Sequence, residues 1–476
     1  MSWLPSSEKP KSETIRPSCY GSPGRFYRIR GLTLECKRTS NSPMGHALVR
    51  HAGRAAAFTL PPLAPALAFE RLNTRIFLRS RKGAMTTLAV RFTASLFFLF
   101  LFLTALNRPA SGGTGQVGLH AVVDSAVLPV MEQYGISGMA VGITVQGERF
   151  VFNYGVQSTS GLQPVTDRTL FEIGSVSKTF TALLASYAEA AGRLSMSGKI
   201  TEYMPGLRGS AFDNVSLINL ATYTSGGLPL QVPAGITGKN QLASYFKNWQ
   251  PLYEPGTHRD YSNPSIGLLG VIAAGALNQT FTAAVEEQLL APLGMTRTFY
   301  NVPQKELAHY AQGYNKENKP VRLNAGRLSM EAYGIKSCAP DMLTYLEALM
   351  GVRPVSVQMR SAMDNILIGR FRVGGMTQCL AWERYAYPAR LETLLQGNSD
   401  SIIFGSPEAT PVVLPESLQE STLMNKTGST NGFSTYVVFV PARKTGIVLM
   451  ANKNLPIAER VRLAWRLLVL LETEGT

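Results

Sequence analysis

The stretch that decides the fold is Gly174-Ser-Val-Ser-Lys-Thr-Phe180, where a polar segment that ends a strand passes into a long apolar-periodic helix. Ser175 and Lys178 are three residues apart, so their side chains share one face of the first helical turn. A hydroxyl and an amine at this spacing form a candidate nucleophile with its own base. A serine at a helix start is more often only an N-cap, so the pair needs support from elsewhere in the chain.

Apolar periodicity predicts strands towards both ends of the chain and helices between them. The upstream elements are a helix from Val117 to Tyr134 and a hairpin made of Gly138–Val145 and Arg149–Gly155. The downstream elements are strands at Phe433–Val440 and Gly446–Ala451 and a helix from Ile457 to Leu471. The helices predicted between them are Thr179–Leu194, Ser216–Tyr223, Gln241–Trp249, Ser265–Leu277 and Thr282–Leu290.

These elements indicate an α+β fold, in which one antiparallel sheet is built from the N- and C-terminal parts and an inserted, mostly helical region lies beside it. We expect one domain at 111–476. Its α/β region covers about 111–190 and 395–476, and its helical region about 190–395. The segment 351–376 shows no clear period, and the sequence assigns no structure to it.

The positive charge of the chain is concentrated in its first part. Residues 1–84 contain 15 Lys+Arg and 4 Asp+Glu, a net of +11, which leaves +4 for residues 85–476 out of the +15 of the whole chain. A strongly basic domain would suggest a nucleic-acid partner. Because the folded part is only mildly basic, we expect no nucleic-acid partner.

An apolar run of about 15 residues, Phe92 to Leu106, follows the basic Arg91 and is followed by small residues. A basic flank, a short apolar core and a small-residue exit are typical of a secretory signal peptide. We therefore interpret 85–110 as an export signal, with a single membrane anchor as the alternative. Since signal peptides work from the N-terminus, we interpret 1–84 as a start-site artefact or a dispensable leader that precedes Met85.

The cysteines give no sign of a metal site. Cys338 and Cys379 are the two in the predicted domain, and no Cys-x-x-Cys or Cys/His cluster occurs. We therefore expect neither a metal nor a cofactor. In an oxidising compartment these two cysteines could form a disulfide, but two separately buried thiols are the favoured interpretation.

A second candidate element is Arg259-Asp-Tyr-Ser-Asn-Pro264, in a predicted extended loop. Tyr261 and Asn263 are two residues apart, so both side chains could face one cleft. A tyrosine beside cationic groups can titrate low enough to act as a base, and an amide both donates and accepts hydrogen bonds. Taken alone, a turn asparagine beside a packed tyrosine is the simpler interpretation.

A third element is Asn425-Lys-Thr-Gly-Ser-Thr430, which leads into a strand. Lys426 and Thr427 at the start of an edge strand could hold a substrate carboxylate, and Gly428 would let the substrate approach the backbone. The same tripeptide recurs at Lys444-Thr-Gly446, in a predicted hairpin turn, where a solvated charge is expected. We interpret that second copy as a chance match.

Each signal is weak alone, but Ser-x-x-Lys, Tyr-x-Asn and Lys-Thr-Gly in this order, on a helix start, a loop and a strand start, form a specific combination. A Ser-His-Asp triad has little support, because the sequence contains no Gly-x-Ser-x-Gly elbow and the histidines after the apolar run lie in no motif.

From Val117 to Leu471 the sequence resembles the class C serine β-lactamases, the secreted cephalosporinases. The matching stretches are Gly138-Met-Ala-Val141, Phe171-Glu-Ile-Gly-Ser-Val-Ser-Lys-Thr-Phe180, Tyr223-Thr-Ser-Gly-Gly-Leu-Pro-Leu-Gln-Val-Pro233, Asn248-Trp-Gln-Pro251, Ala332-Tyr-Gly-Ile-Lys-Ser337, Lys426-Thr-Gly-Ser-Thr-Asn-Gly-Phe433 and Ala451-Asn-Lys-Asn454. The resemblance implies the β-lactamase/transpeptidase-like fold and hydrolysis of β-lactams, with cephalosporins preferred, which confers resistance.

The resemblance also implies catalytic roles. Ser175 would be the acylated nucleophile, and its N–H and that of Ser429 would form the oxyanion hole. Lys178 and Tyr261 would share the proton transfers, and Tyr261 would help to activate the deacylating water. Lys178 alone would stay protonated and inert, and we expect Tyr261 and Lys426 to tune it.

Further residues match positions that contact or surround the substrate in this family. Gln231 and Asn263 would contact its acylamide side chain, and Lys426, Thr427 and Asn454 would line its carboxylate end. Glu383 resembles a structural carboxylate near the site. The surroundings of Tyr223 and Tyr333 resemble the cleft walls.

Two departures from the family pattern bear on substrate range. Ile457 stands where some members carry a polar residue, and 351–376 matches poorly. Penicillin-binding peptidases and related esterases use the same three motifs and are the alternative function. The resemblance implies a monomeric periplasmic enzyme, without stable membrane association once the signal is removed.

Overall fold

The computed structural model describes residues 114–416 and 421–474. The predicted leader at 1–84 and the predicted export signal at 85–110 lie outside the described residues. The strands are β1 Gly138–Val145, β2 Glu148–Gly155, β3 Phe171–Glu172, β4 Gly313–Tyr314, β5 Pro320–Val321, β6 Lys336–Ser337, β7 Gly369–Val373, β8 Met376–Gln378, β9 Glu383–Ala386, β10 Thr410–Glu416, β11 Thr422–Ser429, β12 Ser434–Val440 and β13 Thr445–Ala451.

The main sheet has nine strands in the order β10-β7-β8-β9-β11-β12-β13-β1-β2, all antiparallel. Its N-terminal hairpin joins the C-terminal strands directly, since Met139 of β1 pairs with Ala451 of β13. The predicted α+β arrangement and the sheet built from both ends are therefore confirmed. Strands β7 to β9, at 369–386, extend this sheet from within the segment predicted to be mostly helical.

The helices include the predicted ones, in the predicted order and with bounds that differ by a few residues, and further ones between them that the sequence did not predict. They are α1 Thr114–Tyr134, α2 Ser177–Ala190, α3 Ile200–Tyr203, α4 Leu217–Ala221, α5 Lys239–Asn248, α6 Asn263–Ala276, α7 Phe281–Val285, α8 Ala291–Leu293, α9 Ser329–Tyr333, α10 Ala339–Leu349, α11 Val357–Ile366, α12 Leu391–Gly397, α13 Asp400–Ile403 and α14 Ile457–Glu474. A π-helical segment, Glu286–Leu290, connects α7 to α8. The unassigned stretch 351–376 thus contains α11 and β7.

The central strands are buried on both faces of the sheet. In β12, Val437 and Phe439 pack into the core shared with the helical region, whereas Tyr436 and Val438 pack into a second core. That second core contains residues from α1 and α14. Burial on both faces explains why these strands are nearly continuous apolar runs rather than alternating ones.

Helix α2 is the centre of the helical region. It is buried over most of its length and packs against α6 and α11. Its small and unbranched residues, mainly alanine and leucine, favour the helix and allow close packing. Since the Ser175 segment lies directly before α2, the buried helix fixes the position of that segment between the sheet and the helical region.

Cys338 and Cys379 are both buried and are not joined by a disulfide, which confirms the interpretation as separate thiols. Among the described residues, no helix by itself has the length and apolar character needed to span a membrane. The pair Asn263–Ala276 and Phe281–Leu293 meets those requirements only together, and it is bent by 76° at its break.

Candidate active site

Ser175 lies in a 3-10 turn, Gly174–Val176, immediately before α2; we call it the Ser175 turn. The turn packs directly against β11. Gly174 has a φ of +52°, and a Cβ there would lie 2.5 Å from the backbone nitrogen of Ser429. A Cβ at Gly428 would collide with the carbonyl oxygen of Ile173. Two glycines thus bring the two backbones into contact.

The role predicted for Gly428 is therefore wrong. The space above this residue is occupied by the Ser175 turn, not left open for a substrate. The reason is tertiary: the turn meets the end of β11, not the strand start that the sequence predicted for this motif, and the two come from parts of the chain more than two hundred residues apart. Their contact has no local sequence signal.

Lys178 holds the position that the helical spacing predicted. Its Nζ donates to the Ser175 Oγ over 2.9 Å and to the carbonyl oxygen of Ala332 over 2.9 Å. The side chain is fully buried. Burial, opposed by Tyr261 and assisted by the nearby Lys426, lowers its pKa to about 8. The amine can therefore lose its proton within reach of neutral pH.

Tyr261 lies between the two lysines. The Nζ atoms of Lys178 and Lys426 are each 5.0 Å from the centroid of its ring. Desolvation raises the pKa of the phenol, but the two ammonium groups and a hydrogen bond with the Ser175 hydroxyl more than offset this, so the net shift is downward. The predicted tyrosine beside a cationic pair is present in this geometry.

Lys426 has a different environment from Lys178. Its buried Nζ forms an ion pair with Glu383 Oε1 at 2.9 Å. Burial lowers the pKa of Lys426, but the Glu383 carboxylate and Tyr261 raise it, and the net shift is upward. Glu383 also lies 3.6 Å from the buried Arg259 guanidinium. Glu383 is thus placed next to the site, as the resemblance implied.

The strand that carries Lys426 is an edge strand over only half its length. Strand β11 is fifth of the nine strands, and β9 pairs with it from Thr422 to Asn425. Beyond Asn425, the pairing with β12 continues while the pairing with β9 has ended. The edge prediction is therefore wrong for the first half and correct from Lys426 onward, where the strand borders a cavity.

An open cavity of about 430 Å³ lies where the Ser175 turn, β11 and the loop before α6 meet. We call it the active-site cavity. The predicted site residues that line it are Ser175, Gln231, Tyr261, Asn263, Lys426, Thr427 and Ser429. Asn263 is the first residue of α6 and not part of an extended loop, yet it still shares this cavity with Tyr261. Tyr333 and Ile457 lie in its wall.

Asn454 is placed differently from the other predicted residues. It is not among the described residues that line the cavity; its Oδ1 accepts a hydrogen bond from Arg460 over 3.1 Å. Arg460 also donates to Ser429 Oγ over 2.8 Å and to the carbonyl oxygen of Gly428 over 2.7 Å. Asn454 is therefore linked through Arg460 to Ser429 in the cavity wall.

Arg460 and Arg259 are the residues that sequence reasoning missed. Both are almost completely buried, and burial lowers the pKa of Arg460 to about 9. Arg259 stands over the rings of Tyr223 and Tyr261, with its Cζ 5.2 Å and 5.4 Å from their centroids. Arginines are usually exposed, so a buried position has no sequence signal of its own.

The described residues contain no group of three or more His, Cys, Asp or Glu side chains that could hold a metal ion. The chemical groups that line the cavity are a hydroxyl, a phenol with a lowered pKa and an ion-paired ammonium, and the buried amine of Lys178, whose pKa is also lowered, contacts the hydroxyl. Such a set can remove a proton from the hydroxyl and attract an anionic ligand.

A family model described as "Beta-lactamase" matches residues 123–472. A β-lactamase from Pseudomonas fluorescens is 46% identical over 350 residues, covering 74% of this chain and 98% of that protein. A β-lactamase/D-alanine carboxypeptidase structure from Pseudomonas syringae has a TM-score of 0.73 and 46% identity, covering 74% of this chain and 99% of the other. A class C β-lactamase in complex with cefoxitin has a TM-score of 0.73 and 44% identity, covering 75% of this chain and 100% of the other.

The fold and the chemistry of the cavity define a serine hydrolase. With the family match and these relatives, the chain belongs to the β-lactamase family, and its solved relatives assign it to class C. The expected recognition and fold are confirmed.

Proposed function

We propose that the protein hydrolyses the β-lactam amide bond through an acyl-serine intermediate, with cephalosporins as preferred substrates. The observation that carries the proposal is the contact of Ser175 with both Lys178 and Tyr261, two groups with lowered pKa values. Such neighbours make a serine hydroxyl nucleophilic at neutral pH.

The chemistry proceeds in two stages. In acylation, the Ser175 hydroxyl gives its proton to the Lys178–Tyr261 pair, its oxygen bonds to the lactam carbonyl carbon, and the carbon–nitrogen bond breaks as the nitrogen takes a proton. In deacylation, a water loses a proton to Tyr261, its oxygen attacks the ester carbon, and Ser175 leaves with a proton. The backbone N–H groups of Ser175 and Ser429 would stabilise both oxyanions.

We expect the substrate to bind along the part of β11 that is an edge strand, from Lys426 onward. Lys426 remains charged because of Glu383, so it can attract the carboxylate of the substrate while Thr427 offers a hydroxyl. Gln231 and Asn263 have amides that can bind the acylamide group. The cefoxitin complex of a relative with 44% identity supports this substrate class.

The test is turnover of a chromogenic cephalosporin, with intact-protein mass spectrometry during the reaction. We expect many cycles per enzyme and a transient mass increase that is absent in Ser175→Ala. Absence of any adduct during turnover would contradict the acyl-serine route. Hydrolysis of penicillins with a higher kcat/KM than cephalosporins would contradict only the substrate preference.

A D-alanyl-D-alanine carboxypeptidase or esterase is the second candidate, because one solved relative is named for both activities. The two functions differ in how fast water releases the acyl group. A stoichiometric burst with a long-lived adduct, together with release of D-alanine from a D-alanyl-D-alanine peptide, would favour this alternative.

We also propose that the enzyme is exported to the periplasm as a monomer and confers β-lactam resistance. The apolar run at 92–106 after Arg91 supports export. N-terminal sequencing of the protein recovered from the periplasm tests it: a start beyond residue 106 is expected, and a chain that still carries Tyr20 to Arg54 would contradict it. Light scattering of the purified protein tests the monomer.

A further inference from the structure

Arg460 is a buried cation without an anionic partner. It is the fourth residue of α14, and its exposed fraction is 2%. Among the described residues no Asp or Glu forms an ion pair with it, and burial alone lowers its pKa to about 9. Burial of an unpaired charge is unfavourable, and the positive end of the helix dipole adds to the cost in the first turn. The charge itself therefore does not stabilise the fold at this position.

The guanidinium is held by neutral oxygen atoms, most of them at the end of β11 or on the strand opposite. Its Nη1 donates to the carbonyl oxygen of Gly428 over 2.7 Å, and its Nη2 donates to Ser429 Oγ over 2.8 Å. The carbonyl oxygen of Thr435 in β12 accepts from Nη1 over 3.4 Å. The other two acceptors, from the segment before α14, are Asn454 Oδ1 and the carbonyl oxygen of Leu455.

The pairing of β11 with β12 shows where the backbone of Ser429 points. Gly428 is opposite Thr435, and two residues farther on the Thr430 N–H donates to the carbonyl oxygen of Phe433 over 3.1 Å. Hydrogen-bonded and non-hydrogen-bonded pairs alternate along an antiparallel ladder, so Ser429, between two hydrogen-bonded pairs, directs its N–H away from β12. On that side the pairing with β9 has ended, and β11 borders the active-site cavity.

The carbonyl group of Gly428 and the N–H of Ser429 belong to one planar, trans peptide group. Its oxygen and hydrogen point in opposite directions, so a donor that fixes the oxygen also aims the N–H. A cation that hydrogen-bonds the oxygen polarises the peptide, and this strengthens the N–H as a donor. Arg460 thus acts on the N–H that the family resemblance assigns to the oxyanion hole.

We propose that Arg460 is a positioning residue for the oxyanion hole: it orients and polarises the peptide between Gly428 and Ser429, so that the Ser429 N–H stabilises negative charge on the substrate carbonyl oxygen. The proposal rests on the proposed hydrolysis through an acyl-serine. It explains why the guanidinium has no counter-ion. A carboxylate beside it would cancel the positive potential that the developing oxyanion needs.

The first test measures the affinity for phenylboronic acid. The Ser175 oxygen adds to boron, the hydroxyl proton passes to the Lys178–Tyr261 pair, and a hydroxyl of the tetrahedral boron anion takes the place of the oxyanion. Since this probe has no carboxylate, attraction between Arg460 and a substrate carboxylate does not contribute. In Arg460→Gln we expect the inhibition constant to rise by about tenfold, less than the hundred- to thousandfold effect of removing an oxyanion-hole donor outright.

A second measurement reports the hydrogen bonds to the acyl group directly. The ester carbonyl stretch of the acyl-enzyme, recorded by infrared difference spectroscopy, moves to lower frequency as hydrogen bonds to its oxygen strengthen. We expect a higher frequency in Arg460→Gln than in the wild type, whereas a loss of stability alone leaves the frequency unchanged. Arg460→Lys keeps the charge but donates to fewer acceptors, so its values should lie between the two. It replaces Arg460→Gln if that variant does not fold.

The matched control is Arg149→Gln, which removes an arginine that joins β2 to Glu347 of α10. Neither residue is among those that line the active-site cavity. The boronate affinity and the carbonyl frequency should stay at their wild-type values in this control. Equal losses in Arg149→Gln and Arg460→Gln would overturn the proposal, and so would wild-type values in both Arg460 variants.

Turnover of a chromogenic cephalosporin by the same proteins separates this proposal from the proposed function. If the wild type binds phenylboronic acid at Ser175 in an Arg460-dependent way but hydrolyses no β-lactam, the proposed function fails and the role of Arg460 stands. If the wild type hydrolyses the cephalosporin but its boronate affinity does not depend on Arg460, the role of Arg460 fails and the proposed function stands.

Discussion

Lys178, on the helical side of the cavity, and Lys426, on the sheet side, are both buried and each lies 5.0 Å from the centroid of the Tyr261 ring. Their pKa values nevertheless shift in opposite directions. The polar partners of Lys178 are a hydroxyl and a carbonyl oxygen, whereas Lys426 has the Glu383 carboxylate. The anionic partner therefore decides which lysine stays charged.

This difference assigns separate tasks to two otherwise similar groups. A lysine with a lowered pKa can exchange a proton with Ser175 or Tyr261 during a reaction. A lysine held as a cation can keep the phenol acidic and attract an anion, but it cannot serve as a base. Removing the distinguishing feature of either lysine should therefore have a different consequence on each side of the cavity.

Replacing Lys178 should have the largest effect. In Lys178→Met the hydroxyl loses its amine partner, and we expect acylation to slow by about a hundred- to ten-thousandfold. Stopped-flow kinetics with a chromogenic cephalosporin measure the rate. The matched control is Lys336→Met, which removes another buried lysine, one whose Nζ donates to the carbonyl oxygens of Tyr300 and Gly334. A similar loss in both variants would show that packing, not proton transfer, is responsible.

Removing the carboxylate on the sheet side should mainly reduce stability. In Glu383→Gln the buried Lys426 and Arg259 lose their anion, and we expect the free energy of unfolding to fall by about 3–5 kcal/mol. Urea denaturation measures this. The double variant Glu383→Gln/Lys426→Met should regain part of the loss, because one unpaired cation is gone. A double variant less stable than the single one would argue against the ion pair as the cause.

The pH dependence should reveal which lysine titrates. Burial lowers the pKa of Lys178 from its ordinary 10.5 to about 8. Between these two pH values the unfolded chain binds more protons than the folded chain, so the contribution of Lys178 to the free energy of unfolding rises with pH. Below about pH 8 the lysine is charged in both states, and the free-energy cost of burying its ammonium group is fully present.

The acylation rate should depend on the protonation state of Lys178 as well. It should rise by about tenfold per pH unit up to an inflection near pH 8, as expected when a single neutral amine is required. Rate profiles of the wild type and Lys178→Met test this. An inflection near pH 8 that persists in Lys178→Met would assign it to another group.

The smallest effect is expected for a substitution of Tyr223, whose ring packs against that of Tyr261. The Tyr223 ring lies 4.8 Å from that of Tyr261, but its buried hydroxyl has no hydrogen-bond partner among the described residues. Tyr223→Phe should therefore change the free energy of unfolding by less than about 1 kcal/mol. Thermal denaturation measures it. Tyr261→Phe, the matched variant, should instead slow acylation. A large loss of stability in Tyr223→Phe would reveal a partner for its hydroxyl.

Sequence reasoning predicted those parts of the site whose residues are close to one another in the sequence. Ser175 and Lys178 share one helical turn, so their contact follows from three residues of separation. The alternation of buried and more exposed positions in β7 is also a strand pattern, but five residues with two arginines are too few to distinguish it from a loop.

The parts that it could not predict depend on which distant segments pack together. The change of β11 from inner to edge strand at Lys426 is set by where β9 begins, at Glu383, which no residue of β11 indicates. The burial of Arg259 and Arg460 is likewise decided by their partners, and an arginine in isolation is normally interpreted as a surface residue.

The contact between Gly174 and β11 has a consequence for how activity arises during synthesis. Ser175, Lys178 and Tyr261 are made well before Thr422, where β11 begins. A nascent chain that ends before β11 has the hydroxyl and its proton acceptors, but it lacks both Lys426 and the backbone against which Gly174 packs. Catalysis should therefore begin only when the last segment has emerged and folded, so truncated products of interrupted translation would be inactive.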